Sequence, residues 1–136
     1  MLKIDNKNLE LTTEEIFVGD SILNKVNGYF LGIKLEFINK DTKEKGYINL
    51  DVDFNLSNDI EVFTNKEYEG INFEQEPFVF FEVYDTEKFL DSEIDTPIKV
   101  KIGSKEGNKI NASFEVKHEL INIYYEGKLD IIKKYN

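Results

Sequence analysis

The sequence predicts an all-β fold, an antiparallel β-sandwich or closed β-barrel of about 7–9 strands with at most one or two short helices. Three observations carry that expectation. Apolar residues recur with a period of two over most of the chain, helical periodicity is scarce, and polar turn clusters interrupt the alternation at short intervals.

The clearest strand runs from Gly28 to Ile38, where Tyr29, Leu31, Ile33, Leu35 and Phe37 form one apolar face. After the polar loop Asn39 to Gly46, Ile48, Leu50, Val52, Phe54 and Leu56 alternate with Asn49, Asp51, Asp53 and Asn55, so the two segments should pair as an antiparallel hairpin. Shorter strands are expected at Ile60 to Thr64, Phe78 to Tyr84 and Ile98 to Ile102. The turn Gly103 to Lys109 joins the last of these to Ile110 to Lys117, where Ile110, Ala112, Phe114 and Val116 share a face. Leu120 to Glu126 and Lys128 to Ile132 continue the pattern around Gly127, which reads as a bulge or bend in one long strand. Leu2 to Ile4 and Leu9 to Leu11 are edge fragments. Thr12 to Glu15 resembles a helix start, but Ile16, Phe17 and Val18 favour strand and Gly19 would end a helix early. Asp85 to Asp91 is the better place for one or two helical turns before Pro97.

No repeat, low-complexity tract or linker divides the 136 residues, so residues 1–136 read as a single β domain. The formal charge is −10, yet 11 Phe and 7 Tyr supply too much apolar surface for a disordered chain. With no Cys there is no disulfide framework, thiolate nucleophile or cysteine-based metal site. The N-terminal run Met1 to Lys7 has no signal-peptide core, and no stretch approaches the roughly 18 apolar residues of a membrane span, so the expected location is cytoplasmic. All 17 basic residues are Lys, which removes the guanidinium fork suited to phosphate and guanine and argues against nucleic-acid binding. The Lys, Ile and Asn enrichment suits an AT-rich bacterial genome.

The chemical motifs are incomplete. Asp51-Val52-Asp53-Phe54-Asn55 starts like a calcium loop, but the sixth position is Leu56 instead of Gly and the twelfth is Val62, with Glu61 one residue early. The alternation explains Asp51 and Asp53 as the wet face of a strand whose Leu50, Val52 and Phe54 are buried. His118 is the sole histidine and follows an inward run, which suits a strand end better than catalysis. No Ser sits in a nucleophile elbow, and the absence of Trp weakens a sugar-stacking platform. The expectation is therefore a protein that is not an enzyme and carries no cofactor or metal.

The charge map departs from a uniform surface. Residues 1–66 hold 8 Lys and 12 acids, 67–95 hold 1 Lys and 10 acids, and 96–136 hold 8 Lys and 5 acids, giving nets of −4, −9 and +3. The acidic segment interleaves aromatics with its carboxylates. Its expected binding residues are Glu67, Tyr68, Glu69, Phe73, Glu74, Glu76, Glu82, Tyr84, Asp85, Glu87 and Asp91, with Tyr68, Phe73 and Tyr84 as exposed aromatic anchors. Such a surface fits a basic protein partner, in the way an immunity protein fills the cationic cleft of a bacterial toxin. The alternatives are a β-sandwich module of a phage, cell-surface or carbohydrate-binding assembly, and a barrel that carries a small apolar ligand.

Overall fold

The computed structural model describes residues 1–70, 79–91 and 97–133. Their strands are β1 (Leu2–Ile4), β2 (Leu9–Leu23), β3 (Val26–Asn39), β4 (Lys45–Asn55), β5 (Lys66–Gly70), β6 (Val79–Tyr84), β7 (Phe89–Asp91), β8 (Ile98–Glu106), β9 (Lys109–His118) and β10 (Ile121–Ile131). All ten belong to one sheet in the order β5-β8-β9-β10-β2-β3-β4-β6-β7, with β1 also paired to β10. The sheet curls strongly into a half-barrel, bringing β5 near β6 although they stand towards opposite ends of the order.

Curling gives the sheet a dry inside and a wet outside. Leu31, Ile33, Leu35 and Phe37 of β3 meet Ile48, Leu50 and Val52 of β4, then Val79, Phe81 and Val83 of β6, all essentially buried. Ile98, Val100, Phe114, Val116, Ile123 and Tyr125 of β8 to β10 complete a single core cluster from the other side. Burial of each large apolar side chain contributes about 1.5–3 kcal/mol, so the alternating residues supply the main force holding the curl.

Several expectations need correction, each for a local reason. Nearly all pairings are antiparallel as expected, but β10 and β2 are parallel where Asp130 and Ile131 meet Glu15 and Ile16. The free edge of β10 is shared there. β1 occupies its first half and β2 its second, so the chain can join the sheet twice along one strand. Leu9 to Leu11 is no edge fragment but the start of a 15-residue strand. An extra residue at Thr12 shifts the register between Leu11 and Thr13, moving the inward positions from Leu9 and Leu11 to Ile16 and Val18 and breaking the period-two pattern.

Asp85 to Asp91 forms a tight turn into β7 instead of a helix. The buried Asp85 carboxylate accepts hydrogen bonds from the backbone N–H groups of Glu87 (2.8 Å) and Lys88 (2.9 Å), and Thr86 takes a φ of 83°. Aspartate thereby offers the backbone an alternative to helix. Conversely, Ile60 to Thr64 is not a strand: Ile60–Phe63 is a 3₁₀ turn whose Asp59 side chain accepts from the Glu61 N–H. β10 is one long strand as expected, and Gly127 lies opposite Ala112 in unbroken register, so it is not a bulge.

Phe54 is the last departure. Asp53 adopts a φ of 60°, and the register moves from Leu31 opposite Val52 to Tyr29 opposite Asn55. This bulge adds a residue to β4 and turns Phe54 out of the core, over Gly28.

Candidate functional site

Register and pleat together define the outer surface row by row. Across β2, β3, β4, β6 and β7, one row reads Phe17, Gly32, Asp51 and Phe80. The next reads Glu15, Lys34, Asn49, Glu82 and Asp91, and the third Thr13, Glu36, Tyr47, Tyr84 and Phe89. These rows carry five carboxylates, Glu15, Glu36, Asp51, Glu82 and Asp91, against the single ammonium of Lys34. They also carry Phe17, Phe80, Tyr47, Tyr84 and Phe89. Beyond them, the row Glu10, Ile38 and Lys45 returns to mixed charge.

The aromatic part of this face is built by glycines. A Cβ at Gly32 would lie 2.4 Å from the Phe17 ring, and one at Gly19 would lie 2.6 Å from the Phe30 ring. Each ring reaches over a neighbouring strand where a side chain is missing, and the two rings meet edge to face with centroids 6.2 Å apart. Phe80 is 39% exposed despite its size. Beside these rings a hollow of about 290 Å³ is lined by Ser21, Ile22, Leu23, Phe30, Asp51, Asp53, Phe54 and Phe80. A second hollow runs over Phe17, Asn49, Asp51, Phe80, Glu82 and Asp91. The charged residues lining both are all acidic.

Polar contacts orient this face. Asn49 Nδ2 donates to Glu82 Oε1 at 3.0 Å, and the Tyr84 hydroxyl donates to Glu44 Oε2 at 3.2 Å. The Tyr84 pKa is raised, first by desolvation and then by that bond to Glu44. The ring of Tyr84 stands 6.4 Å from that of Tyr47.

The outer surface of β5, β8, β9 and β10 differs in kind. Its rows read Glu67, Lys101, Ser113, Glu126 and Glu69, Lys99, Glu115, Tyr124, with Lys109 opposite Asp130. Acid and base alternate and pair: Lys101 with Glu67 at 3.4 Å, Lys117 with Glu115 at 3.1 Å and Lys109 with Asp130 at 2.6 Å. This half is close to neutral, so among the described strands the excess of carboxylates lies on the other.

The residues singled out in the acidic segment therefore separate. Glu82, Tyr84 and Asp91 lie together on the acidic aromatic face, and exposed Glu87 ion-pairs with Lys7 at 3.3 Å beside the turn into β7. Glu67 and Glu69 lie on the charge-balanced half. Tyr68 is not an exposed anchor: it is 4% exposed, and its hydroxyl donates to the Phe63 carbonyl at 2.9 Å. Its place on β5 opposite Val100 turns it inward, and burial raises its pKa strongly. Asp85 is fully buried and holds the turn, with Lys88 and Lys7 Nζ 3.7 and 3.8 Å from its Oδ2, which is also buried. Phe73, Glu74 and Glu76 lie outside the described residues, as does Phe78.

Sequence reasoning missed Phe17, Phe30 and Asp51 as parts of this face. The available signal was the apolar run Ile16-Phe17-Val18 and the pair Phe30-Leu31, where both parities are apolar and one must face out. His118 serves the turn between β9 and β10, its Nδ1 accepting from the Leu120 N–H at 3.0 Å. Among the described residues no cluster of His, Asp or Glu is arranged to hold a metal ion, and no helix is long and apolar enough to cross a membrane. No protein family, curated protein or solved structure matches this chain.

Proposed function

We propose that the chain is a non-catalytic protein-binding domain whose acidic, aromatic outer face engages a basic protein partner in the bacterial cytoplasm, as an immunity protein engages a toxin. We further read the curled sheet as a barrel-like platform, with β5 and β6 approaching to stiffen it. One observation carries the proposal: the three rows from Phe17 to Phe89 combine five carboxylates and five aromatics with one lysine, while the rest of the sheet is charge-balanced. Carboxylates there give long-range attraction to a cation-rich surface, and rigid rings give contact area once the partner arrives. The inner face is filled by Phe37, Phe63, Phe114 and Tyr125, so we do not take up the reading as a carrier of an apolar ligand.

Affinity capture from the source organism tests the proposal when run with two variants. One carries Asp51→Asn, Glu82→Gln and Asp91→Asn; the other carries Glu67→Gln and Glu69→Gln on the balanced half. The expected result is a basic protein retained by wild type and by the second variant and lost by the first. Capture of no basic protein, or equal retention by both variants, overturns it.

A further inference from the structure

We propose that the hollow beside Phe30, Phe54 and Phe80 receives one arginine side chain of the basic partner, an inference that rests on the binding-face reading above. Size gives the first argument. At about 290 Å³ the hollow sits at the floor of the range for small-molecule pockets, about 300–1,000 Å³. It suits one long side chain better than a free ligand.

Chemistry gives the second. The walls include three phenylalanine rings, and the only charged groups lining the hollow are the carboxylates Asp51 and Asp53. Ring faces attract cations, and arginine is found over them more often than lysine. A guanidinium is flat and weakly hydrated, so laying it against rings costs less desolvation than burying an ammonium, and its fork matches a carboxylate bidentately. An uncharged side chain would satisfy the rings and ignore the carboxylates; a lysine would reach the carboxylates but lose more water.

The backbone gives the third. The bulge at Asp53 rotates Phe54 out of the core and over Gly28, where a Cβ would stand 2.4 Å from its ring. Without that extra residue Phe54 would point inward, and the hollow would lack a wall. Ile22 and Leu56, 71% and 70% exposed, flank this end of the sheet and extend the apolar surface a docked partner would cover. Arginine in a pocket with an apolar surround is a recurrent arrangement at the energetic centre of protein interfaces.

The test titrates the isotope-labelled full chain with acetyl-arginine-amide and, separately, with its uncharged citrulline counterpart, following backbone amides by NMR. Arginine should shift Leu23, Phe30, Asp53, Phe54 and Phe80 and leave β8 and β9 unmoved, with binding at least about tenfold weaker for citrulline. The Asp51→Asn/Asp53→Asn variant should lose the arginine response while its core amides stay in place; if it misfolds, the citrulline comparison decides alone. Equal responses to both compounds, or none at these amides, overturns the inference. An arginine-free oligolysine peptide separates the two levels of argument. If it shifts Glu82 and Asp91 while the hollow ignores arginine, the pocket assignment fails and the binding face stands; if the face ignores both, both fail.

Discussion

Neighbouring residues on β4 have opposite fates, and the difference is measurable. Val52 is fully buried between Leu31 and Val79, whereas Asp51 stands on the outer row between Gly32 and Phe80. Val52→Asp should destabilise the protein by about 3–5 kcal/mol, because the new charge would be buried with no partner. Asp51→Val should change urea stability by less than about 1 kcal/mol. Equal losses would place the sheet in the wrong register. Tyrosine hydroxyls give a pH-dependent counterpart. Tyr68 and Tyr125 are buried, donate to Phe63 O and Glu14 Oε1 at 2.9 and 2.7 Å, and have pKa values raised above the ordinary 10.0, chiefly by desolvation. A raised folded-state pKa means that the unfolded chain loses these protons first. Stability should therefore be unaffected by these groups below about pH 10 and fall as pH rises beyond it. Melting curves between neutral pH and pH 11 should show the fall, and Tyr68→Phe with Tyr125→Phe should flatten it; an unchanged slope would contradict this assignment.

At the scale of elements, the turn Asp85–Lys88 shows how much one side chain can decide. Asp85 Oδ1 takes two backbone N–H groups, Oδ2 is approached by two lysines, and Thr86 beside it accepts from buried Asn39 at 3.0 Å. Asp85→Ala should cost about 2–4 kcal/mol and release β7 from β6, seen as faster hydrogen exchange at Phe89 to Asp91, while Asp85→Asn should keep the turn and lose less. Equal exchange in wild type and Asp85→Ala would show that the turn does not depend on this carboxylate. The same turn marks a limit of reading structure from sequence. Asp-Thr-Glu-Lys suits a helix start or an aspartate turn equally, and only the neighbouring strand β6 decides between them. Strands β3, β9 and β10, and β4 as far as Val52, were legible because their inward residues keep one phase. β2 was not, because Thr12 shifts that phase and Phe17 and Val18 make both faces apolar. Phe54 was misplaced for a related reason: a bulge costs one residue in register and leaves the composition unchanged. The acidic segment was legible as charge but not as surface, since Tyr68 and Asp85 satisfy its pattern while facing inward.

Over the whole molecule, the two outer faces of one sheet carry different electrostatics, although lysine and carboxylate are spread along most of the chain. β5 and β8 to β10 set lysines among carboxylates, with Lys101 across from Glu67, Lys99 across from Glu69 and Glu115, and Lys109 across from Asp130, so that charge largely cancels over this half. β2, β3, β4, β6 and β7 set carboxylates beside aromatic rings and glycines, so the field projects outward. Exposed charges act over about 8–10 Å at ordinary ionic strength, which makes association rate the quantity they control, while the rings govern how long a complex lasts. The most direct measurement is the association rate of the captured basic partner as a function of salt, for wild type and for the two charge variants. The account predicts that added salt slows wild type and Glu67→Gln/Glu69→Gln alike, whereas Asp51→Asn/Glu82→Gln/Asp91→Asn starts slow and loses most of its salt dependence. Identical salt dependence in all three proteins would contradict it.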